Sequence, residues 1–78
     1  MLLAAQSRMA RAAVGLSIRD LSEHAGVGVT TITRFESGLT EPNRATLAAL
    51  RTALEAAGVE FIPENGGGVG VRLRKPAP

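Results

Sequence analysis

Residues 16–38 limit the possible folds of this chain more strongly than any other segment, because they combine helix caps with a glycine turn. Ser17 is a favoured N-cap residue, and Asp20 follows three positions later, as in a capping box. Gly26 comes directly after Ala25, and glycine readily adopts the left-handed backbone that ends many helices. The pattern predicts a short helix from Ser17 to Ala25, a tight turn and a second short helix.

The second helix of this pair is expected over residues 28–37, and its two faces differ in chemistry. At about 100° per residue, Ile32 and Phe35 lie on the inward face. The opposite face is small, polar and singly basic, and it comprises Thr30, Thr33, Arg34 and Ser37. Such a face suits a surface that must lie close against a partner molecule.

Helices are also predicted on both sides of this pair. Residues 2–14 are rich in alanine and free of glycine and proline, and their core candidates are Met9, Ala12 and Ala13. Asn43 is the N-cap of a fourth helix over residues 44–57. Its core stripe, at spacings i, i+3 and i+7, is Leu47, Leu50 and Leu54.

The C-terminal part of the chain changes from a helical to an alternating pattern. Residues 59–62 are short and β-prone, residues 64–68 form a glycine-rich turn, and residues 69–74 alternate with a period of two. One face of the alternating segment carries Val69, Val71 and Leu73, and the other carries Arg72 and Arg74. A lone hairpin is marginal in water, so we expect this one to pack on the helices or to pair with another chain.

Composition excludes several classes of protein. A chain of 78 residues forms one small domain, whose core often needs a partner chain for stability. There is no cysteine and only one histidine, so we expect no disulfide, no metal site and no cofactor. No nucleophile–base set is present, which argues against an enzyme. No apolar run approaches a membrane span, and the net charge of +2 permits nucleic-acid binding without requiring it.

The pattern resembles the helix-turn-helix of the phage-repressor-like (Cro/C1, XRE-type) DNA-binding domains over roughly residues 8–58. The positions that carry the resemblance are Leu16-Ser17, Leu21, Ala25-Gly26-Val27, Thr31-Ile32, Arg34-Phe35-Glu36, Gly38, Pro42 and Thr46-Leu47. It implies a mostly α, four-helix, lambda-repressor-like domain over residues 1–58, with its motif at 17–37. A C-terminal β-hairpin over residues 59–75 is the expected dimerisation element, and residues 76–78 are expected to be a frayed tail.

The resemblance further implies that the second motif helix enters the major groove of double-stranded DNA. Carried over position by position, the base-contacting residues are Val29, Thr30, Thr33 and Arg34. Arg34 is the strongest candidate, since a guanidinium can donate two hydrogen bonds to guanine O6 and N7. The phosphate contacts are expected near helix N-termini and in the loop after the motif, from Ser17, Ser37, Thr40, Asn43 and Arg44.

Two structural features are also implied by the resemblance. The first is an ion pair between Arg11 and Glu36, for which the alternative is two unrelated solvated charges. The second is a homodimer joined through the hairpin, since small members of the family with a similar tail look like such dimers. The residues of that joint are Phe61, Val69, Val71 and Leu73.

Several positions depart from the family pattern, and they leave two functions open. Ile18 stands where a phosphate-binding glutamine is usual, and Leu39 and Glu41 occupy loop positions that are often basic or polar. Glu41 would repel phosphate. These substitutions reduce the number of hydrogen-bond donors on the expected DNA-facing surface.

The first function is a sequence-specific DNA-binding regulator, a repressor that acts as a homodimer on a two-fold-related operator. The alternative is an anti-activator or antitoxin that reuses the fold to capture a second protein, a regulator or a toxin. Its contact surface would include the apolar residues Ile18, Val29 and Leu39. Either protein is expected in a bacterial or phage-type cytoplasm, at the nucleoid and not in a membrane.

Overall fold

The helix and strand signals of the sequence produce four α-helices followed by a β-hairpin. In the computed structural model, which describes residues 1–74, the elements are α1 (Ala4–Val14), α2 (Ile18–Ala25), α3 (Val29–Glu36), α4 (Arg44–Ala56), β1 (Val59–Ile62) and β2 (Gly70–Leu73). The predicted fold class, mostly helical with four helices and a C-terminal hairpin, is confirmed. The predicted tail at 76–78, and Lys75 at the end of the expected hairpin, lie outside the described residues.

The start and end of α2 follow from its capping residues. Ser17 Oγ accepts a hydrogen bond from the Asp20 N–H at 3.0 Å, and the Asp20 carboxylate accepts one from the Ser17 N–H at 3.1 Å. Gly26 ends the helix with a φ of 70°, a conformation that a side chain would disfavour. The capping box therefore fixes where the helix begins, and the glycine fixes where the chain turns into α3.

One apolar core joins all of the helices to the hairpin. Its buried side chains are Leu2, Ala10, Leu21, Ile32, Phe35, Leu47, Leu50, Leu54, Val59 and Phe61. Burial of a large apolar side chain stabilises the fold by about 1.5–3 kcal/mol. The inward residues predicted for α3 and the leucine stripe predicted for α4 are all in this core.

The inward face of α1 differs from the prediction. Met9, Ala12 and Ala13 are exposed, and the buried residues of the helix are Gln6, Ser7 and Ala10. An alanine-rich segment offers little periodic contrast, so hydrophobicity alone does not fix its rotation. Hydrogen bonds to distant parts of the chain contribute instead: Gln6 Nε2 donates to the Gly70 carbonyl at 3.4 Å, and Ser7 bonds a residue of α3.

The hairpin pairs within one chain and packs on α1 and α4. The two strands are antiparallel, with Val59 opposite Leu73 and Phe61 opposite Val71. Directly opposed residues share a face of the sheet, and on this face Val59 and Phe61 are buried while Val71 packs against the core. The sheet therefore completes the core of its own chain.

This packing alters what the hairpin offers to a second copy. Phe61, one of the four residues expected in a hairpin joint, is 8% exposed and lies in the core. Val71 is half-buried, and Val69 precedes β2 instead of belonging to it. Leu73, at 60% exposed, presents the largest apolar surface of the four.

Candidate nucleic-acid interface

The outer face of α3, which the sequence predicted to bind DNA bases, is exposed to solvent. Val29 is 44% exposed, and Thr30, Thr33 and Arg34 are all exposed. In residues 1–74 no hydrogen bond or ion pair engages the Arg34 guanidinium. The four predicted base-contacting residues therefore share one accessible face, and the donors of its arginine face solvent.

The opposite face of α3 holds the helix against the rest of the domain. Ile32 is fully buried and Phe35 nearly so, and both belong to the apolar core. This arrangement leaves α3 little freedom to rotate about its axis. The polar residues on its outer face consequently stay directed toward solvent.

The carboxylate of Glu36, the last residue of α3, is held by Arg11 of α1. Arg11 Nη2 donates to Glu36 Oε1 at 2.6 Å, and Arg11 Nε donates to Oε2 at 2.9 Å. A third donor of the same guanidinium, Nη1, reaches the Leu16 carbonyl at 3.1 Å. The pKa of Arg11 is raised, mainly because its hydrogen bond to Glu36 stabilises the charged guanidinium. One side chain thus joins α1, α3 and the segment that leads into α2.

Two further residues of α1 bind Glu36, and the sequence analysis missed both. Ser7 Oγ is buried and donates to Glu36 Oε2 at 2.7 Å, while the Arg8 guanidinium donates to the Glu36 carbonyl. We call Ser7, Arg8, Arg11 and Glu36 the Glu36 cluster. Ser7 lies four residues before Arg11, so helical periodicity alone would have placed the two on one face. That spacing was the available signal.

The first turn of α3 is suited to an anion. Its N-cap is Gly28, which has no side chain to accept from the free N–H groups, and the turn contains no acidic residue. Unsatisfied N–H groups and the positive end of the helix dipole favour phosphate at such a position. The first turn of α2 differs, because Asp20 already places a carboxylate there.

The predicted phosphate-contacting residues are exposed, but their hydrogen-bonding groups are not equally free. Ser37 Oγ donates to the Thr33 carbonyl at 2.8 Å, which uses its hydroxyl hydrogen within α3. Ser17 Oγ accepts in the capping box and keeps its hydrogen to donate. Asn43 Oδ1 accepts from the Thr46 N–H at 2.8 Å, which leaves the amide NH2 available.

The loop between α3 and α4 supplies the remaining candidates. Thr40 and Arg44 are exposed, and in residues 1–74 no hydrogen bond or ion pair engages the Arg44 side chain. Together with the Asn43 amide, they provide the polar groups of this loop and of the start of α4.

The apolar residues that suggested a protein contact occupy different environments. Ile18 is half-buried and packs against the core, so little of it is available to a partner. Leu39 is 71% exposed and lines a groove with Leu2 and Leu3 near the start of α1. The expected surface of Ile18, Val29 and Leu39 is therefore reduced to its exposed members.

A capped helix, a glycine turn and a second helix with an exposed polar face and a buried apolar one together define a helix-turn-helix domain. The family model of the helix-turn-helix domain matches residues 2–61. The chain belongs to this family, and membership supports double-stranded DNA as its partner. A search of curated proteins found no match.

Two general features accompany this assignment. Within residues 1–74, no group of three or more His, Cys, Asp or Glu side chains is placed to hold a metal ion. No helix of the same residues has both the length and the apolar character needed to cross a membrane.

Proposed function

We propose that the protein is a sequence-specific transcriptional regulator of the phage-repressor-like (Cro/C1) type, which inserts α3 into the major groove of its operator. The observation that carries the proposal is the exposed Arg34, unpaired within residues 1–74, on a helix whose other side is buried. A guanidinium with unused donors can meet guanine O6 and N7 bidentately. Thr30 and Thr33 add hydroxyl and methyl groups for neighbouring base edges.

Phosphate contacts on both sides of α3 would fix its depth in the groove. The uncapped first turn at Gly28 and the loop residues Thr40 and Asn43 supply donors for this purpose. The Glu36 cluster would keep α3 at a constant angle to the rest of the domain. Repression by occupying a promoter is the simplest mode of action, carried out by a homodimer on two half-sites about one helical turn apart.

The test is a binding titration of the purified chain against the DNA upstream of its own gene and against unrelated DNA, at several salt concentrations. We expect tighter binding to the cognate fragment and a negative slope of log K against log salt. Arg34→Ala should lower the preference for the cognate fragment by about 5- to 150-fold, which corresponds to about 1–3 kcal/mol per bidentate contact.

Two variants separate base reading from general charge. Arg34→Lys keeps the positive charge but loses the planar pair of donors. This variant should therefore still bind DNA, with little preference for the cognate fragment over unrelated DNA. Arg72→Ala removes the same charge from an exposed arginine on β2 and should retain the preference. Equal losses for Arg34→Ala and Arg72→Ala would show that α3 does not read sequence.

The exposed Leu39 favours a second candidate, a module that captures another protein such as a regulator or a toxin. Amide chemical shifts distinguish the two candidates. Shifts at Thr30, Thr33 and Arg34 on addition of operator DNA support the regulator. Shifts at Val29 and Leu39 on addition of a second protein, with no response to DNA, support the alternative.

A further inference from the structure

The most exposed large apolar side chain in residues 2–74 is Leu39, and it borders a groove that DNA binding does not explain. This groove, which we call the Leu39 groove, has a volume of about 260 Å³ and is lined by Leu2, Leu3, Phe35, Leu39, Thr40 and Glu41. Leu3 is itself 42% exposed. Two exposed leucines beside one groove form an apolar surface next to the loop that is expected to approach phosphate.

The apolar surface extends beyond this groove toward the start of α4. Leu2 also lines a second depression, of about 540 Å³, whose other residues include Arg44 and Leu47. Leu2 contributes to the lining of both depressions. The combined surface has Glu41 in one part and Arg44 in the other.

Within the part of the chain that the structure describes, these two charges have no partners. In residues 1–74 the ion pairs are Arg11–Glu36, Arg51–Glu55 and Arg72–Glu60, and no hydrogen bond reaches the side chain of Glu41 or Arg44. A phosphate backbone would be repelled by Glu41. An apolar surface with one free carboxylate and one free guanidinium is complementary to itself when rotated about a two-fold axis.

We propose that this surface joins two copies of the chain, with Leu39 of each packed against the Leu39 groove of the other and Glu41 facing the partner subunit's Arg44. In a two-fold interface each contact occurs twice, so one leucine and one charge pair supply two apolar contacts and two ion pairs. The inference deepens the proposed function, because it rests on the proposed homodimer and supplies its joint.

The hairpin is the competing joint, and the fold uses most of its apolar surface. Phe61 lies in the core of its own chain and Val71 packs against that core. Leu73 is exposed but belongs to a strand whose flanking arginines are engaged, Arg72 with Glu60 and Arg74 with the Glu55 carbonyl. Among the described residues, no free carboxylate–guanidinium set accompanies Leu73.

Sedimentation of the full chain without DNA tests the proposal. We expect a monomer–dimer equilibrium in the wild type, and Leu39→Glu should raise the dimer Kd at least about tenfold, because a charge replaces the apolar contact. Leu73→Glu is the matched control, an exposed leucine on β2 given the same new charge. It should leave the Kd unchanged. Circular dichroism confirms that both variants are folded.

A charge exchange tests the geometry of the interface. Glu41→Arg and Arg44→Glu should each weaken the dimer, because either change turns both intersubunit ion pairs into pairs of like charge. The double variant should recover dimerisation, because the ion pairs form again with their charges exchanged. Failure of the double variant to recover any of the loss would contradict the pairing of Glu41 with Arg44.

Three other results would overturn the proposal. They are a monomeric wild type, a dimer unaffected by Leu39→Glu, and a dimer dissociated by Leu73→Glu alone, which would assign the joint to the hairpin. Since no DNA is present, none of these depends on operator binding. Loss of sequence preference on Arg34→Ala is measured separately, so failure of the interface and failure of the proposed function give different results.

Discussion

Glu36 carries a carboxylate into the interior, where an unpaired charge would be strongly unfavourable. Its side chain is 5% exposed, and the donors of Ser7 and Arg11 satisfy it from one side of α1. Removing one partner of a buried ion pair lowers stability more than replacing both partners with apolar residues, because the remaining charge stays buried without a partner. The position of α3 thus depends on hydrogen bonds from a helix distant in sequence as well as on the burial of Ile32 and Phe35.

The first prediction concerns this cluster. Arg11→Met should lower the free energy of unfolding by about 3–5 kcal/mol, because it leaves the Glu36 carboxylate buried without its cation. Ser7→Ala should cost less, about 1–3 kcal/mol, since Arg11 remains. Urea unfolding at neutral pH measures both values.

The control is an ion pair of the same residue types at the surface. Glu60→Gln weakens the exposed Arg72–Glu60 pair and should change stability by no more than about 1 kcal/mol. Arg11→Met combined with Glu36→Leu should be more stable than Arg11→Met alone, because the orphaned charge is gone. If Arg11→Met costs no more than Glu60→Gln, Glu36 is solvated and does not hold α3.

At the scale of helices and strands, the ends of a helix could be predicted from the sequence, but the rotation of a helix about its axis could not always be. The boundaries of α2 follow from Ser17 and Gly26, whose effects act within a few residues. The rotation of α1 depends on Gln6 and Ser7, whose partners lie 64 and 29 residues away. Helix caps depend on residues that are close in the sequence, so they can be predicted from it. A buried hydrogen bond between distant residues produces no periodic pattern in the sequence.

The second prediction concerns the capping box of α2 and its dependence on pH. The pKa of Asp20 is lowered, chiefly because the Ser17 backbone N–H donates to its carboxylate, with the Ser17 side chain second. A pKa below the unfolded value means that the stabilising contribution is present above the ordinary Asp pKa of 3.8 and is lost as the pH falls through the lower, folded value. The carboxyl ¹³C resonance of Asp20 should therefore titrate below pH 3.8.

Asp20→Asn gives the comparison in stability. The variant should be less stable than the wild type at neutral pH, and the difference should shrink as the pH falls through the acid range, because the wild type then loses the same charged acceptor. Urea midpoints across that range measure the difference. A difference that does not change with pH would show that the Asp20 charge makes no contribution to the cap.

For the molecule as a whole, the exposed and buried sides of α3 could be predicted from the sequence better than the packing of the hairpin. The outward set of Thr30, Thr33 and Arg34 follows from helical periodicity, because Ile32 and Phe35 fix which side of α3 is buried. The role of the hairpin does not follow from its alternation. That pattern shows that one face is apolar, but the covering surface is set by α1 and α4, which are distant in sequence from β2.

The final prediction follows from the place of the hairpin in the core. A chain that ends at Gly58 lacks Val59 and Phe61, whose burial contributes about 1.5–3 kcal/mol each. It also uncovers apolar residues of α1 and α4, and small domains have only about 5–15 kcal/mol of net stability. We therefore expect this truncated chain to lose cooperative thermal unfolding, measured by circular dichroism, and to lose the dispersion of its amide resonances.

Two point variants in the full chain test the same role of the hairpin. Phe61→Ala should lower the free energy of unfolding by about 3–5 kcal/mol, while Leu73→Glu, at an exposed position of the same hairpin, should change it little. A truncated chain that unfolds cooperatively near the wild-type midpoint would mean that the four helices form a complete core by themselves, and the hairpin would then be free to act as the joint between two copies.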